Sequence, residues 1–234
     1  SSQVDLYEPS ISDAWKVGFG MAPISGEWRK KNSVLRAKAE KCIANLEKGG
    51  SPEDAPVKKL YREINDAGEE LNVWMHKKTS EYLNKGKSVC VVGGEHSVPL
   101  GFMRALAERE KSFSILHIDA HADFRKAYEG FEFSHASIMY NASKLSAVER
   151  IALLGIRDYS HQEAERIEKS AGRCVAFPDR DIKHALYEGT TWKEYCEKII
   201  KPLGKKVYVS FDIDALDPSL CPHTGTPVPG GLEF

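Results

Sequence analysis

The chain has 234 residues, and its 33 basic and 34 acidic side chains leave a formal net charge of -1, which offers no electrostatic footprint for nucleic acid or another polyanion. The length suits one α/β domain; no apolar run is long enough to span a bilayer, and no signal-peptide pattern appears. Five cysteines, Cys42, Cys90, Cys174, Cys196 and Cys221, form no Cys-x-x-Cys pair and fall in core-like or helical surroundings, as reduced structural thiols of a cytoplasmic protein would.

Taken in chain order, Lys16 to Gly20 reads as a first strand, and Ser33 to Leu46 and Pro56 to Leu83 carry helical periodicity on either side of the Gly49-Gly50-Ser51-Pro52 loop. Trp28 and Arg29-Lys30-Lys31 read as a solvated helix start, Trp15, Trp74 and Trp192 as packing residues, and the long 56–83 helix as a possible subunit interface. Strand and helix then alternate. Short apolar runs at 88–92, 113–118, 150–155, 173–177 and 206–211 are rich in Val, Ile and Leu, as strands buried on both faces should be. Helix-like stretches at 97–110, 134–144, 161–171 and 190–203 lie between them. This order predicts a single domain over 1–234 of the α/β class, three-layer α/β/α with a doubly wound, mostly parallel sheet. Residues 1–86 would form an N-terminal strand and helical region, and 87–234 the core. Ligands of such sheets bind beyond the carboxyl ends of the strands.

The residues at those ends carry chemistry. Asp119, His121 and Asp123, in Asp-Ala-His-Ala-Asp, follow the 113–118 run at once, and alternate positions of an extended chain project to one side. Two carboxylates and an imidazole directed at one point suit a borderline-hard divalent ion such as manganese, whereas zinc more often recruits Cys or further His. A polar turn is the alternative for that motif alone. A second acidic cluster, Asp212, Asp214 and Asp217, follows the run 206–211, and burying such carboxylates without a cation costs several kcal/mol per ion. A third element, Gly93-Gly94-Glu95-His96-Ser97, brings His96 to the end of the run 88–92.

Gly-Gly-Glu-His-Ser at 93–97, Asp-Ala-His-Ala-Asp at 119–123 and Ser-Phe-Asp-Ile-Asp-Ala-Leu-Asp-Pro at 210–218, followed by Thr-Gly-Thr-Pro-Val-Pro-Gly-Gly at 224–231, resemble the ureohydrolases: arginase, agmatinase, formimidoylglutamase and guanidinobutyrase. The resemblance covers about residue 88 to the end and is faint in the N-terminal third. It implies an arginase-like fold, a guanidino substrate, a homotrimer or homohexamer, and two Mn²⁺ ions per subunit. His96, Asp119, Asp123 and Asp212 would hold one ion, and Asp119, His121, Asp212 and Asp214 the other, with Asp119 and Asp212 bridging. Paired metals lower the pKa of a shared water toward neutrality, and the hydroxide attacks the guanidinium carbon to give urea and an amine. Asp123 would orient that hydroxide. His135, in Ser-His-Ala-Ser, is the expected proton shuttle and a substrate contact, since imidazole is the side chain suited to giving and taking protons near neutral pH.

Phe124-Arg125 and the Tyr128-Glu129-Gly130 spacer look most like agmatinases. The expected reaction is therefore agmatine to putrescine and urea, with arginase or formimidoylglutamase as rivals and a non-catalytic metal-binding homologue as the alternative from another class. Arg125 is a candidate substrate-binding residue: paired with a substrate carboxylate it would suit formimidoylglutamate, and facing the pocket it would count against agmatine, which has no carboxylate; a protein carboxylate such as Glu129 or Glu132 is its alternative partner. Two departures stand out. Glu95 replaces the Asp of most relatives and is expected to act on the His96 ring. The sequence stops before the C-terminal strands that carry the family's guanidinium-gripping glutamate, so a truncated polypeptide is expected.

Overall fold

The computed structural model describes residues 20–233 together with Ser10, Lys16 and Gly18. Trp15 and two residues of the expected first strand at 16–20 lie outside the described residues. Two long helices come first, α1 (Gly26–Glu47) and α2 (Ala55–Asn84). The Ser25 side chain caps α1 by accepting from the Trp28 amide, so the helix starts well before the Ser33 read from periodicity. Cys42 of α1 packs with Val57 and Tyr61 of α2 in a small cluster.

The remaining elements are α3 (Leu100–Arg109), β1 (Phe113–Ile118), α4 (Ile138–Ala142), β2 (Val148–Leu154), α5 (His161–Glu168), β3 (Cys174–Phe177), α6 (Asp179–Tyr187), α7 (Trp192–Ile200) and β4 (Val207–Phe211). All strand pairings are parallel and the sheet order is β3-β2-β1-β4. Alternation along the strands separates two cores. Ile115, Ile151 and Leu153 pack beneath α3, α4 and α5 with Met103, Ile138, Met139 and Ile167, while Leu116, Ile118 and Leu154 pack beneath α6 and α7 with Ile182, Tyr195 and Ile199. Helices therefore cover both faces, the three-layer arrangement expected. The N-terminal pair joins through α2 and α3, where a Cβ on Gly101 would lie 2.3 Å from the Asn72 carbonyl oxygen. Only a residue without a side chain allows that approach.

Four points differ from the expectation. Residues 88–92 form no strand, and Val92 is 87% exposed, because no backbone ladder reaches them. The edge strand β4 has no outer neighbour among the described residues and leaves Val209 and Phe211 about half exposed. Helix α6 was not read from the sequence, although Pro178 before it and Asp179 and Asp181 in its first turn are helix-start signals. Cys90 is exposed rather than core-like, whereas Cys42 and Cys174 are buried.

The chain passes from β1 to β2 and β3 on one side and returns to β4 on the other. The carboxyl ends of the adjacent strands β1 and β4 thus flank the point where strand order reverses, the crevice position of doubly wound sheets.

Candidate metal centre

β1 and β4 run parallel with Ile118 opposite Phe211, so Asp119 and Asp212 leave the sheet side by side. The Asp212 amide donates to the Ile118 carbonyl and the Asp119 amide to the Leu154 carbonyl, which fixes both carboxylates to the sheet backbone. The 119–123 turn closes on one of its own acids and one from beyond β4: the His121 amide donates to Asp119 Oδ1 at 2.7 Å, and the Ala120 amide to Asp214 Oδ1 at 3.2 Å. Asp123 sits at φ +55, a left-handed conformation uncommon for a residue with a side chain, and its carbonyl accepts from the Met139 and Tyr140 amides of α4.

The expected ligands converge in two groups. His96 Nδ1 lies 2.9 Å from Asp119 Oδ2, 3.1 Å from Asp212 Oδ2 and 3.3 Å from Asp123 Oδ2. His121 Nδ1 lies 3.3 Å from Asp119 Oδ1 and 3.2 Å from Asp214 Oδ2. The two oxygens of Asp119, 1% exposed, thus face different imidazoles. Asp214 is braced by the Thr226 hydroxyl at 3.2 Å, and Asp212 Oδ1 accepts the Asp214 amide. Asp217 is not brought in; its Oδ1 accepts the Ser219 amide in a turn.

The electrostatics ask for positive charge. Burial opposes a charged His96, yet Asp119 and Asp212 override it and raise the ring to about 10. Asp119 and Asp214 raise His121 to about 10 against a smaller burial penalty. Asp119 is held far below the usual carboxylate range despite burial, by His117, His121 and His96, whereas burial and the neighbouring Asp119 push Asp123 well up. His96 Nδ1 and Asp119 Oδ2 are buried and make no hydrogen bond although they are 2.9 Å apart. Buried polar atoms without a partner on a carboxylate-imidazole donor set fit a borderline-hard divalent cation that displaces the ring proton.

Residues that motif reading passed over do much of the positioning. His96 Nε2 lies 2.8 Å from the Ser210 hydroxyl, so Ser210, not Glu95, orients this ring. Glu95 instead bonds the Ser97 amide at 3.2 Å and lies 3.5 Å from His135 Nδ1. His117 Nε2 lies 3.2 Å from the His121 carbonyl; that acceptor needs a proton on Nε2, and burial lowers the ring to about 4, keeping it neutral. Its nitrogen is within reach of the ligand set in a second possible group with His96 and Asp119. His135, 46% exposed, stands edge-on to Tyr128. Arg125 lies 3.6 Å from Glu163 and over the Tyr128 ring, so its carboxylate partner is neither Glu129 nor Glu132. Glu163, 2% exposed, also accepts the Phe124 and Ser160 amides.

Comparison with known proteins places the chain in a family. The sequence pattern of the arginase family matches residues 38–234. An N(1)-aminopropylagmatine ureohydrolase of Thermus thermophilus is 35% identical over 90% of this chain and 69% of its own length. An agmatinase of Bacillus anthracis is 33% identical over 65% of this chain and 49% of its length. Among solved structures, the agmatine ureohydrolase of Thermoplasma volcanium matches with a TM-score of 0.60 and 32% identity, covering 70% of this chain and 53% of that one. The chain thus spans about two thirds of the first of these relatives and about half of the other two. With the family pattern matching residues 38–234 and the fold in agreement, the chain belongs to the arginase family.

Proposed function

We propose that this protein is a binuclear manganese ureohydrolase that converts agmatine to putrescine and urea. The observation that carries the reading is Asp119, whose two oxygens face His96 and His121 separately, so that this one carboxylate would serve both ligand groups. His96, Asp119, Asp123 and Asp212 would hold one ion, and Asp119, His121, Asp212 and Asp214 the other. Manganese, when bound, supplies a water of lowered pKa. Asp123 would accept a hydrogen bond from that water, and His135 would carry a proton to the leaving amine.

The substrate assignment rests on Arg125. Engaged by Glu163 and stacked on Tyr128, its guanidinium is already partnered, which favours a substrate without a carboxylate over arginine or formimidoylglutamate. An aminopropyl-extended agmatine is the second reading, supported by the relative of that name that aligns with 90% of the chain. No helix among the described residues is long and apolar enough to cross a membrane. A cytoplasmic setting and a homotrimer or homohexamer complete the proposal. Manganese-loaded protein offered agmatine, aminopropylagmatine, arginine and guanidinobutyrate in parallel tests the substrate. Preference for the carboxylate-free amines supports the role given to Arg125, and preference for arginine overturns it.

A further inference from the structure

Arg157 follows β2 and touches none of the ligand carboxylates, yet it binds the chain that carries one of them. Its Nη2 donates to the carbonyls of Asp214 at 2.8 Å and Leu216 at 3.3 Å, and its Nη1 to Ala215 at 3.3 Å and Gly155 at 3.1 Å. Both Nε and Nη2 donate to the Val228 carbonyl, at 3.2 and 3.0 Å. One planar fork of five N–H donors therefore holds the end of β2, the 214–216 turn and the 228–231 segment together. The glycines make room for it. A Cβ on Gly231, at φ +119, would lie 2.7 Å from the Ala215 carbonyl and 2.8 Å from Arg157 Nη2, and one on Gly230 would lie 2.8 Å from Asp179. Leu232 closes the arrangement, donating to the Ala215 carbonyl and accepting from the Asp217 amide.

The ligand loops are served unequally. The 214–216 turn presents Asp214 to His121, and Thr226, two residues before Val228, braces the same carboxylate. His96 is oriented from elsewhere, by Ser210. The geometry points to Arg157 as a positioning residue that holds Asp214 in place for the ion on the His121 side, and not for the ion on the His96 side. This rests on the two-ion reading above for its metal readout, but not for its backbone readout.

The test uses Arg157→Gln and Arg157→Lys beside wild type. In metal-free protein, hydrogen exchange should quicken at least tenfold at 213–217 and 228–232 in Arg157→Gln and stay unchanged in β1 and β2. Unchanged exchange at those segments overturns the proposal whatever the metals do. In manganese titrations the variant should take one ion with near wild-type affinity and the second at least tenfold more weakly, and the spin-coupled pair signal should give way to that of a single ion. Equal loss of both ions, or of neither, overturns the selectivity claimed. Should Arg157→Gln fail to fold, Arg157→Lys, which keeps the charge and loses the fork, is read on the same criteria. Wild type that never binds a second ion refutes the two-ion reading and leaves the exchange result to decide on Arg157.

Discussion

His96 Nε2 and the Ser210 hydroxyl lie 2.8 Å apart, joining the loop before α3 to the carboxyl end of β4. Once the ring has lost a proton to bind an ion, keeping the remaining one on Nε2 toward Ser210 would leave the Nδ1 lone pair facing Asp119, Asp123 and Asp212. Ser210→Ala should weaken manganese binding on the His96 side by about 10- to 100-fold, the usual cost of losing a hydrogen bond to a ligating imidazole. Calorimetric titration checks this, and affinity within twofold of wild type would remove Ser210 from the site.

Asp119→Ala should abolish binding of both ions together, whereas Asp214→Ala should spare the ion on the His96 side. The contrast follows from Asp119 serving both imidazoles and Asp214 only His121. Metal counting on the purified variants decides it; two tightly held ions in Asp119→Ala would refute the bridging role.

Metal uptake should release protons. In the metal-free protein His96 and His121 are both raised to about 10 from 6.5, so both rings are charged at neutral pH and must deprotonate to bind an ion. Affinity should therefore rise with pH up to about 10. Because the folded pKa values are raised, the same charges stabilise the metal-free fold fully below about pH 6.5, and that stabilisation is lost as pH rises through 10. Titration heats measured in buffers of different ionisation enthalpy report the protons, and identical heats in all buffers would contradict the prediction.

The motif chemistry was legible because the acids and imidazoles cluster in sequence just past the ends of β1 and β4, but the expected alternation of an extended chain is not what brings them together: 119–123 is a turn with Asp123 at φ +55, and Asp214 lies in a 3-10 turn at 213–215. What supports them was not legible. Ser210 meets His96 across 114 positions of sequence. Arg157 binds carbonyl oxygens, which every residue offers and no side-chain pattern announces. Glu163 reads as a helix-start acid, and it is one, in a capping box with Ser160, but folding also sets it beside Arg125. The run 88–92 has strand composition, yet a strand exists only where a neighbour pairs with it. Helix α6 lay hidden in nine polar and apolar residues between stronger signals.

Gly101→Ala should destabilise the protein by about 1–3 kcal/mol, since the added methyl group meets backbone of α2 rather than a movable side chain. Urea unfolding checks the value. No change would mean that α2 and α3 are free to separate.

His135→Ala should leave both ions bound while slowing turnover by about 10²- to 10⁴-fold, the span of general acid-base catalysis. His135 stands 3.5 Å from Glu95 and outside both ligand groups, so metal content and rate should separate. Unchanged turnover would remove the proton-carrying role.

The most direct test is to count manganese and urea in one sample of protein incubated with agmatine. The proposed function predicts two manganese ions per chain and urea and putrescine in equal amounts. Two ions bound with no urea from agmatine would contradict it.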